Sequence, residues 1–321
     1  MIEVLAGGTL STLQDLGRTG QSEYGMGCAG AMDRWAARIA NVLVNNAQNA
    51  PLIEMTLAGP ELLLHQPTWC AVTGADFTAT RNEQPLPPHR PVWLDSGARL
   101  RFRSPRSGCR AFMAVASGFS ADKIFNSVAT DIRAGIGGIE GRPLRRGDRL
   151  RYQAATTPSP HDADWSSALV PAAAADATPL ALIPGPALAQ LSVADRELLW
   201  HQCFVVGAEA DRMGIRLNGA MPSASRLPSM ISQAVVFGSV QLPPDGRPII
   251  LGADHQTTGG YPLLGVVAGV DHTRIAQLRA GDPVRFRCVT VEQAQSQWRE
   301  REQRFQRWRL GVAAWWKERG G

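Results

Sequence analysis

The chain has 321 residues, 44% hydrophobic and 19% charged, with a formal net charge of +5. That supplies core material for one large or two ordinary domains and excludes disorder along its whole length. Residues 291–321 hold seven Lys/Arg against four Glu, so +3 of the charge sits there and the body carries only +2, too little for a broad nucleic-acid footprint.

The N-terminus, MIEVLAGGTL, has neither a basic region nor a long apolar region, so no secretory leader is expected. No apolar stretch approaches the length of a membrane span. The five cysteines, at 28, 70, 109, 203 and 288, form no CxxC pair. A disulfide framework and a zinc site are therefore not expected, and a reducing cytoplasm fits. The six histidines are dispersed, so no metal site is expected either.

The abundance of glycine (32) and proline (22) predicts many turns and short strands. GMGCAG (25–30) has the literal GxGxxG spacing and opens a helix, and Glu54 stands where a ribose-binding acid could lie. The residues before it, GRTGQSEY, are polar and turn-like, whereas a dinucleotide fingerprint needs a buried strand there, so a dinucleotide fold is disfavoured. Within GAMDRWAARIANVLVN, Met32, Trp35, Ile39 and Leu43 recur at helical spacing, with Asp33 in the positive first turn. PLIEMTLAG, WCAVTGAD, RAFMAVASG, AVVFGSVQL and PIILGAD read as strands, and a second helix is expected at 191–200. IRAGIGGIEGRPLRRGD (132–148) is a glycine loop with several arginines, suited to a phosphate or carboxylate but lacking the Lys-Ser/Thr ending of a P-loop.

LRRGDRLRY (144–152) and LRAGDPVRF (278–286) share one pattern, weakly echoed by SGARLRF (96–102), and predict the same glycine turn leading into a strand. Two full copies predict two related β modules. The resulting division is an N-terminal module over 1–155 with one early helix, an Ala/Pro/Ser-rich linker over 156–178, a C-terminal module over 179–290 and an amphipathic helical tail over 291–321. In the tail, Trp298, Phe305, Trp308, Val312 and Trp315 fall on one stripe. The stripe fits packing on the chain's own domain better than docking on a partner or an anionic surface. Deletion after Thr290 is expected to leave the body folded.

ADHQTTGGYP (253–262) follows a Pro-Pro-Asp-Gly turn and the strand RPIILGAD. Gln, two Thr and two Gly in sequence suit an amide or carboxylate ligand with close backbone approach, although a polar turn is nearly as compatible. In a strand, Asp254 and His255 point to opposite faces, which argues against their acting as orienter and base.

QDLGRTG (14–20), GAMDRWAARIANVLVNN (30–46), IEMTLAGP (53–60), TGAD (73–76), TDIRAGIGGIEGRPLRRGD (130–148), DRMGIRL (211–217), GSVQLPPDGRPI (238–249) and ADHQTTGGYP together resemble one family. It is the family of the 5-oxoprolinase C subunit, also labelled biotin-dependent carboxyltransferase, allophanate hydrolase subunit 2, or antagonist of a sporulation kinase inhibitor. The resemblance covers roughly residues 1–288 and implies a mainly β fold with a few helices, built from cyclophilin-like β-barrel modules. It implies a homologous B-type subunit and an A-type subunit as partners, ATP used at the level of the complex, and opening of the lactam of 5-oxoproline to glutamate. Alternatives within the resemblance are a carboxyltransferase component, with biotin on a separate carrier, and a regulatory module that sequesters a kinase inhibitor resembling the B-type subunit.

The resemblance and the residue types together put Asp15, Asp254 and Gln256 in catalytic roles. They put Arg18, Asp33, Arg212, Thr257, Thr258, Gly259, Gly260 and Tyr261 at the substrate, and Arg133, Gly137, Gly138 and Arg142 at a phosphate. The chain departs from the family pattern at Ser232-Gln233, where Ser-Glu is usual, and at Ser127-Val128-Ala129-Thr130-Asp131, where Ser-Arg-Ser-Thr-Asp is usual. Both departures remove charge and point to an altered substrate or activity.

Overall fold

The computed structural model describes residues 1–154, 162–169, 178–219, 221–222 and 230–319. The expected linker at 156–178 lies outside the described residues except at 162–169 and Thr178. Among the described residues the fold is mostly β, with four α-helices: α1 (Arg34–Leu43), α2 (Val193–His201), α3 (His272–Gln277) and α4 (Val291–Glu318). The chain divides into two compact units. One comprises Met1–Arg18, Ala29–Ala174 and Phe305–Gly321; the other comprises Thr19–Cys28 and Ala175–Arg304.

The first unit stacks two antiparallel sheets and a helical layer. The outer sheet has six strands, in the order Arg149–Leu150, Ile2–Ala6, Glu61–Leu64, Arg99–Pro105, Phe77–Arg81, Gln84–Pro85. Its strands alternate as a one-sided sheet should: Arg99, Arg101 and Arg103 face water while Leu100 and Phe102 are buried. The inner sheet has five strands, in the order Leu10–Gln14, Leu52–Thr56, Arg110–Val115, Thr68–Gly74, Val92–Leu94. Arg110–Val115 and Thr68–Gly74 are buried along their whole length, which is why they read as continuous apolar runs. One face of the inner sheet meets the outer sheet through Leu13, Ile53, Met55, Val72 and Met113. The other meets α1 through Trp35, Ala36, Ile39 and Leu43.

The later part of α4 completes that second face. Phe305, Val312 and Trp316 are buried with α1, and Trp316 Nε1 donates to Leu43 O at 3.1 Å. Trp69 takes three ring edges, from Trp93, Trp315 and Trp316, at centroid distances of 5.5, 6.1 and 5.2 Å. These contacts count against the expectation that the body folds without the tail, because the tail supplies core side chains. Residues 162–169 also lie on the first unit: Asp162 pairs with Arg81 at 3.2 Å, and Trp165 packs on Trp315 at 5.5 Å.

The second unit is built on an eight-stranded sheet. It runs Pro283–Val284, Phe204–Val206, Gly214–Asn218, Ile249–Leu251, Ser239–Gln241, Leu263–Val267, Leu180–Pro184, Phe286–Cys288. The two edge strands are separated in sequence only by Arg285, so the sheet curls until its edges meet as a nearly closed barrel. The run AVVFGSVQL is not one strand. Gln233–Ala234 forms a short strand, and Gly238, at φ +83°, turns the chain before Ser239–Gln241.

The repeated sequence builds the same turn in both units. Gly147 and Gly281 sit at φ +90° and +91°, the left-handed region that only glycine enters without strain. Asp148 and Asp282 each accept a 2.8 Å bond from the amide three residues upstream, Arg145 and Arg279. Each turn then clasps a strand by the same pair of 2.9 Å bonds: Gly147 N–H to Val4 O with Val4 N–H to Asp148 O, and Gly281 N–H to Val206 O with Val206 N–H to Asp282 O. The third echo follows suit, with Gly97 N–H on Leu64 O and Leu64 N–H on Ala98 O.

Candidate functional site

In the first unit the glycine loop closes over the segment 127–130. Asp15 follows the strand Leu10–Gln14 and is buried. Its Oδ1 accepts from Ser127 Oγ at 2.7 Å and Gly17 N–H at 2.8 Å, and its Oδ2 accepts from Val128 N–H at 2.9 Å. Three donors on one carboxylate make Asp15 an anchor for 127–130, which is a different part from the catalytic one expected of it. Arg18 is buried beside it and its guanidinium donates to Ala129 O. Gly137 and Gly138 have positive φ, and a Cβ on either would collide with Ala129 O or Thr130 Oγ1. Gly138 N–H donates to Val128 O at 2.7 Å. These glycines let the loop lie flat on 127–130.

Arg142 is engaged in the same loop. It grips Asp148 through two bonds of 2.8 and 2.9 Å and Glu140 through one of 3.0 Å. The Asp148 hydrogen bond outweighs partial burial and raises the Arg142 pKa. Burial works to raise the Asp148 carboxyl, but Arg142 and the Arg145 N–H together hold it below the usual carboxylate range. The Arg142 charge is thus largely balanced within the loop. Arg133 is exposed, with its N–H on Asp131 Oδ1 at 3.1 Å.

Asp33 caps α1, its Oδ1 accepting from Ala36 N–H at 3.0 Å. Glu54, the residue that a dinucleotide reading would put on a ribose, accepts from Met32 N–H at 2.8 Å and lies 3.9 Å from Arg110. Gly25 ends a 3-10 turn (Ser22–Tyr24), and no strand leads into it.

In the second unit, Arg212 and Asp254 form a bidentate pair, at 2.8 Å from Nε and 2.7 Å from Nη2. Asp254 N–H also donates to Arg212 O at 2.9 Å. The pair fixes the start of the 254–262 segment against the strand Gly214–Asn218. The strand before that segment ends at Leu251, so Asp254 lies in a turn and the strand alternation expected for it does not apply. His255 is buried, with Nδ1 donating to Gln256 O at 2.6 Å, which ties the ring to the backbone. Gln256 and Thr258 are exposed and Thr257 is half-buried. Thr258–Gly259 then forms a two-stranded ladder with Gln233–Ala234, in the register Gln233 to Gly259 and Ala234 to Thr258. Tyr261, 45% exposed, ends the segment.

Sequence reasoning missed Gln241 and marked Gln233 only as a departure from the family pattern. The Nε2 groups of Gln233 and Gln241 are buried and have no hydrogen-bond partner among the described residues. A Cβ at Gly259 would collide with Gln241 Nε2, so the absent side chain makes room for that carboxamide. An amide inside the apolar strand SVQL was the available signal.

Asp15, Arg18, Gly137 and Gly138 therefore come together in the first unit, and Arg212, Asp254 and Gln256 to Tyr261 in the second. Among the described residues, no group of three or more His, Cys, Asp or Glu is arranged to hold a metal ion, and no helix is long and apolar enough to cross a membrane.

The sequence matches the carboxyltransferase domain, subdomain A and B, over residues 24–288. It is 35% identical over 294 residues to the C subunit of 5-oxoprolinase from Haemophilus influenzae, covering 92% of this chain and 93% of the relative. It is 32% identical over 312 residues to the C subunit of 5-oxoprolinase from Escherichia coli, covering 97% and 99%. Among solved structures, the K. lactis urea amidolyase superimposes with a TM-score of 0.84 at 25% identity, covering 94% of this chain and 19% of that one.

Proposed function

The chain belongs to the family of the carboxyltransferase domain, subdomain A and B, and from that premise we propose that it acts as the C subunit of a 5-oxoprolinase. The observation that carries this reading is the likeness to two proteins of that name over nearly the full length of both partners. On this reading it works with a homologous B-type subunit and an A-type subunit, and opens the lactam of 5-oxo-L-proline to L-glutamate.

A lactam carbon is a poor electrophile because nitrogen donates into the carbonyl. ATP at the level of the complex solves this by transferring its γ-phosphoryl group to the carbonyl oxygen. Water then adds to the activated carbon, the ring C–N bond breaks with the nitrogen leaving protonated, and a second water cleaves the resulting γ-glutamyl phosphate, so that glutamate, phosphate and ADP result. The 254–262 segment supplies the substrate contacts: Gln256, Thr257 and Thr258 offer side-chain hydrogen bonds, and Gly259 and Gly260 offer close backbone approach. The Arg212–Asp254 pair holds that segment, and Asp15 with Arg18 holds the 127–130 segment on which the glycine loop lies. Arg142, expected at a phosphate, is balanced internally by Asp148 and Glu140.

The likeness to urea amidolyase supports a second reading, a carboxyltransferase component taking a carboxyl group from biotin on a separate carrier. Reconstitution separates the two. The assembled complex should release phosphate in the presence of 5-oxoproline with no biotin carrier. A stable complex that releases none, but carboxylates an amide when a carboxybiotin carrier is added, overturns the first reading in favour of the second.

A further inference from the structure

Gln241 lies on a central strand of the second unit and is 1% exposed. A carboxamide carries two donors and an acceptor, and a buried donor without a partner costs a large part of its lost hydration. A folded chain keeps such a group where something else completes it. Gln233 poses the same problem, with its own Nε2 buried and without a partner among the described residues. The two amides share one surface. Gln233 stands directly opposite Gly259 in an antiparallel ladder, and opposed residues point their side chains to the same face. Gln241 Nε2 occupies the position that a Cβ on Gly259 would point to, so it meets that same face. Two carboxamide NH2 groups with no partner among the described residues thus converge beneath the glycine of the segment that carries Gln256 and Thr257.

We propose that Gln241, with Gln233 beside it, is the recognition site for the amide edge of the substrate. This rests on the reading of the 254–262 segment as the substrate site. The Nε2–H groups donate to the substrate carbonyl, and Oε1 of Gln241 accepts from the substrate N–H. A lactam is a cis amide, with its C=O and N–H on one side. That edge matches the syn C=O and N–H of a primary carboxamide, so two parallel hydrogen bonds form. A carboxylate offers acceptors only and answers half of this pattern. Gly259 has a defined part in the site: alanine there would drive its Cβ into the carboxamide.

The test uses the full chain with three small probes. 2-Pyrrolidinone keeps the lactam and lacks the carboxylate, L-proline keeps the carboxylate and lacks the lactam, and 5-oxo-L-proline has both. Side-chain carboxamide resonances of Gln233 and Gln241 are followed by heteronuclear NMR during titration of the wild-type chain. In parallel, the KM for 5-oxoproline is measured in the assembled complex carrying Gln241→Met or Gln233→Met. We expect 2-pyrrolidinone and 5-oxoproline to move the Gln241 signals and L-proline to leave them in place. Gln241→Met should raise KM roughly ten- to hundredfold, with a smaller effect on kcat. Movement with L-proline and none with 2-pyrrolidinone would make this a carboxylate site and overturn the proposal. Silence with all three probes, with KM within about twofold in both variants, would mean that buried water alone completes these amides and would overturn it too. If the wild-type complex shows no turnover while 2-pyrrolidinone still moves Gln241, the 5-oxoprolinase reading fails and the amide site stands.

Discussion

Both carboxylate oxygens of Asp254 accept from the one guanidinium of Arg212, and the side chains of this pair are only 5% and 8% exposed. Their backbones are joined as well, so the pair fixes where the QTTGG segment begins. Removing one partner leaves a buried charge uncompensated. We expect Arg212→Met or Asp254→Asn to cost about 3–5 kcal/mol of stability. Arg212→Lys loses the two-pronged geometry and should fall between these variants and the wild type. Urea unfolding of the full chain measures all three.

Asp15→Asn replaces one carboxylate oxygen with an NH2 group, which then faces donors in place of an acceptor. With Ser127 Oγ, Gly17 N–H and Val128 N–H on its two oxygens, a loss of about 2–3 kcal/mol is expected. Turnover per folded complex should fall by less than tenfold. A loss of several orders of magnitude with unchanged stability would make Asp15 a chemical participant.

The tail gives a sharper contrast. Phe305, Val312 and Trp316 fill the face of the inner sheet that α1 leaves open, and Phe305 is fully buried. Truncation after Arg304 should destabilise the first unit severely. Phe305→Ala alone should cost about 3–5 kcal/mol by thermal or urea melts.

Acid should loosen the glycine loop. The folded Asp148 carboxyl sits below its ordinary value because Arg142 and the Arg145 N–H overcome the effect of burial. Its contribution is therefore complete above the unfolded value of about 3.9 and disappears as pH falls from there through the folded value. Asp148→Asn should remove the stability that wild type loses in this window, so the two unfolding curves should converge once pH has fallen through the folded value.

Much of the fold was legible because its signals are local. Helical spacing at Trp35, Ile39 and Leu43 marked α1, and the repeated Gly-Asp pattern marked two turns whose hydrogen bonds turn out identical in kind. The split of AVVFGSVQL depended on one glycine at positive φ, which a hydrophobic run hides. The site was less legible. Asp15 and Asp33 carry the residue type of catalytic and substrate-binding groups, yet an anchor for 127–130 and a helix cap need the same chemistry. Arg142 looked like a phosphate ligand until its partner, six residues on, was located. Gln241 left almost no trace, because its meaning lies in a missing partner and in a glycine eighteen positions away.

The most direct measurement is of glutamate and phosphate released from 5-oxo-L-proline by the B-type and A-type partners, with this chain present, omitted, or carrying Gln256→Ala with Thr257→Ala. We expect glutamate and phosphate to form in equal amounts only with the wild-type chain, and to drop at least tenfold with the double variant. Equal glutamate release with the chain omitted, or with the double variant in a fully assembled complex, would contradict the assignment of this chain and of its QTTGG segment to the reaction.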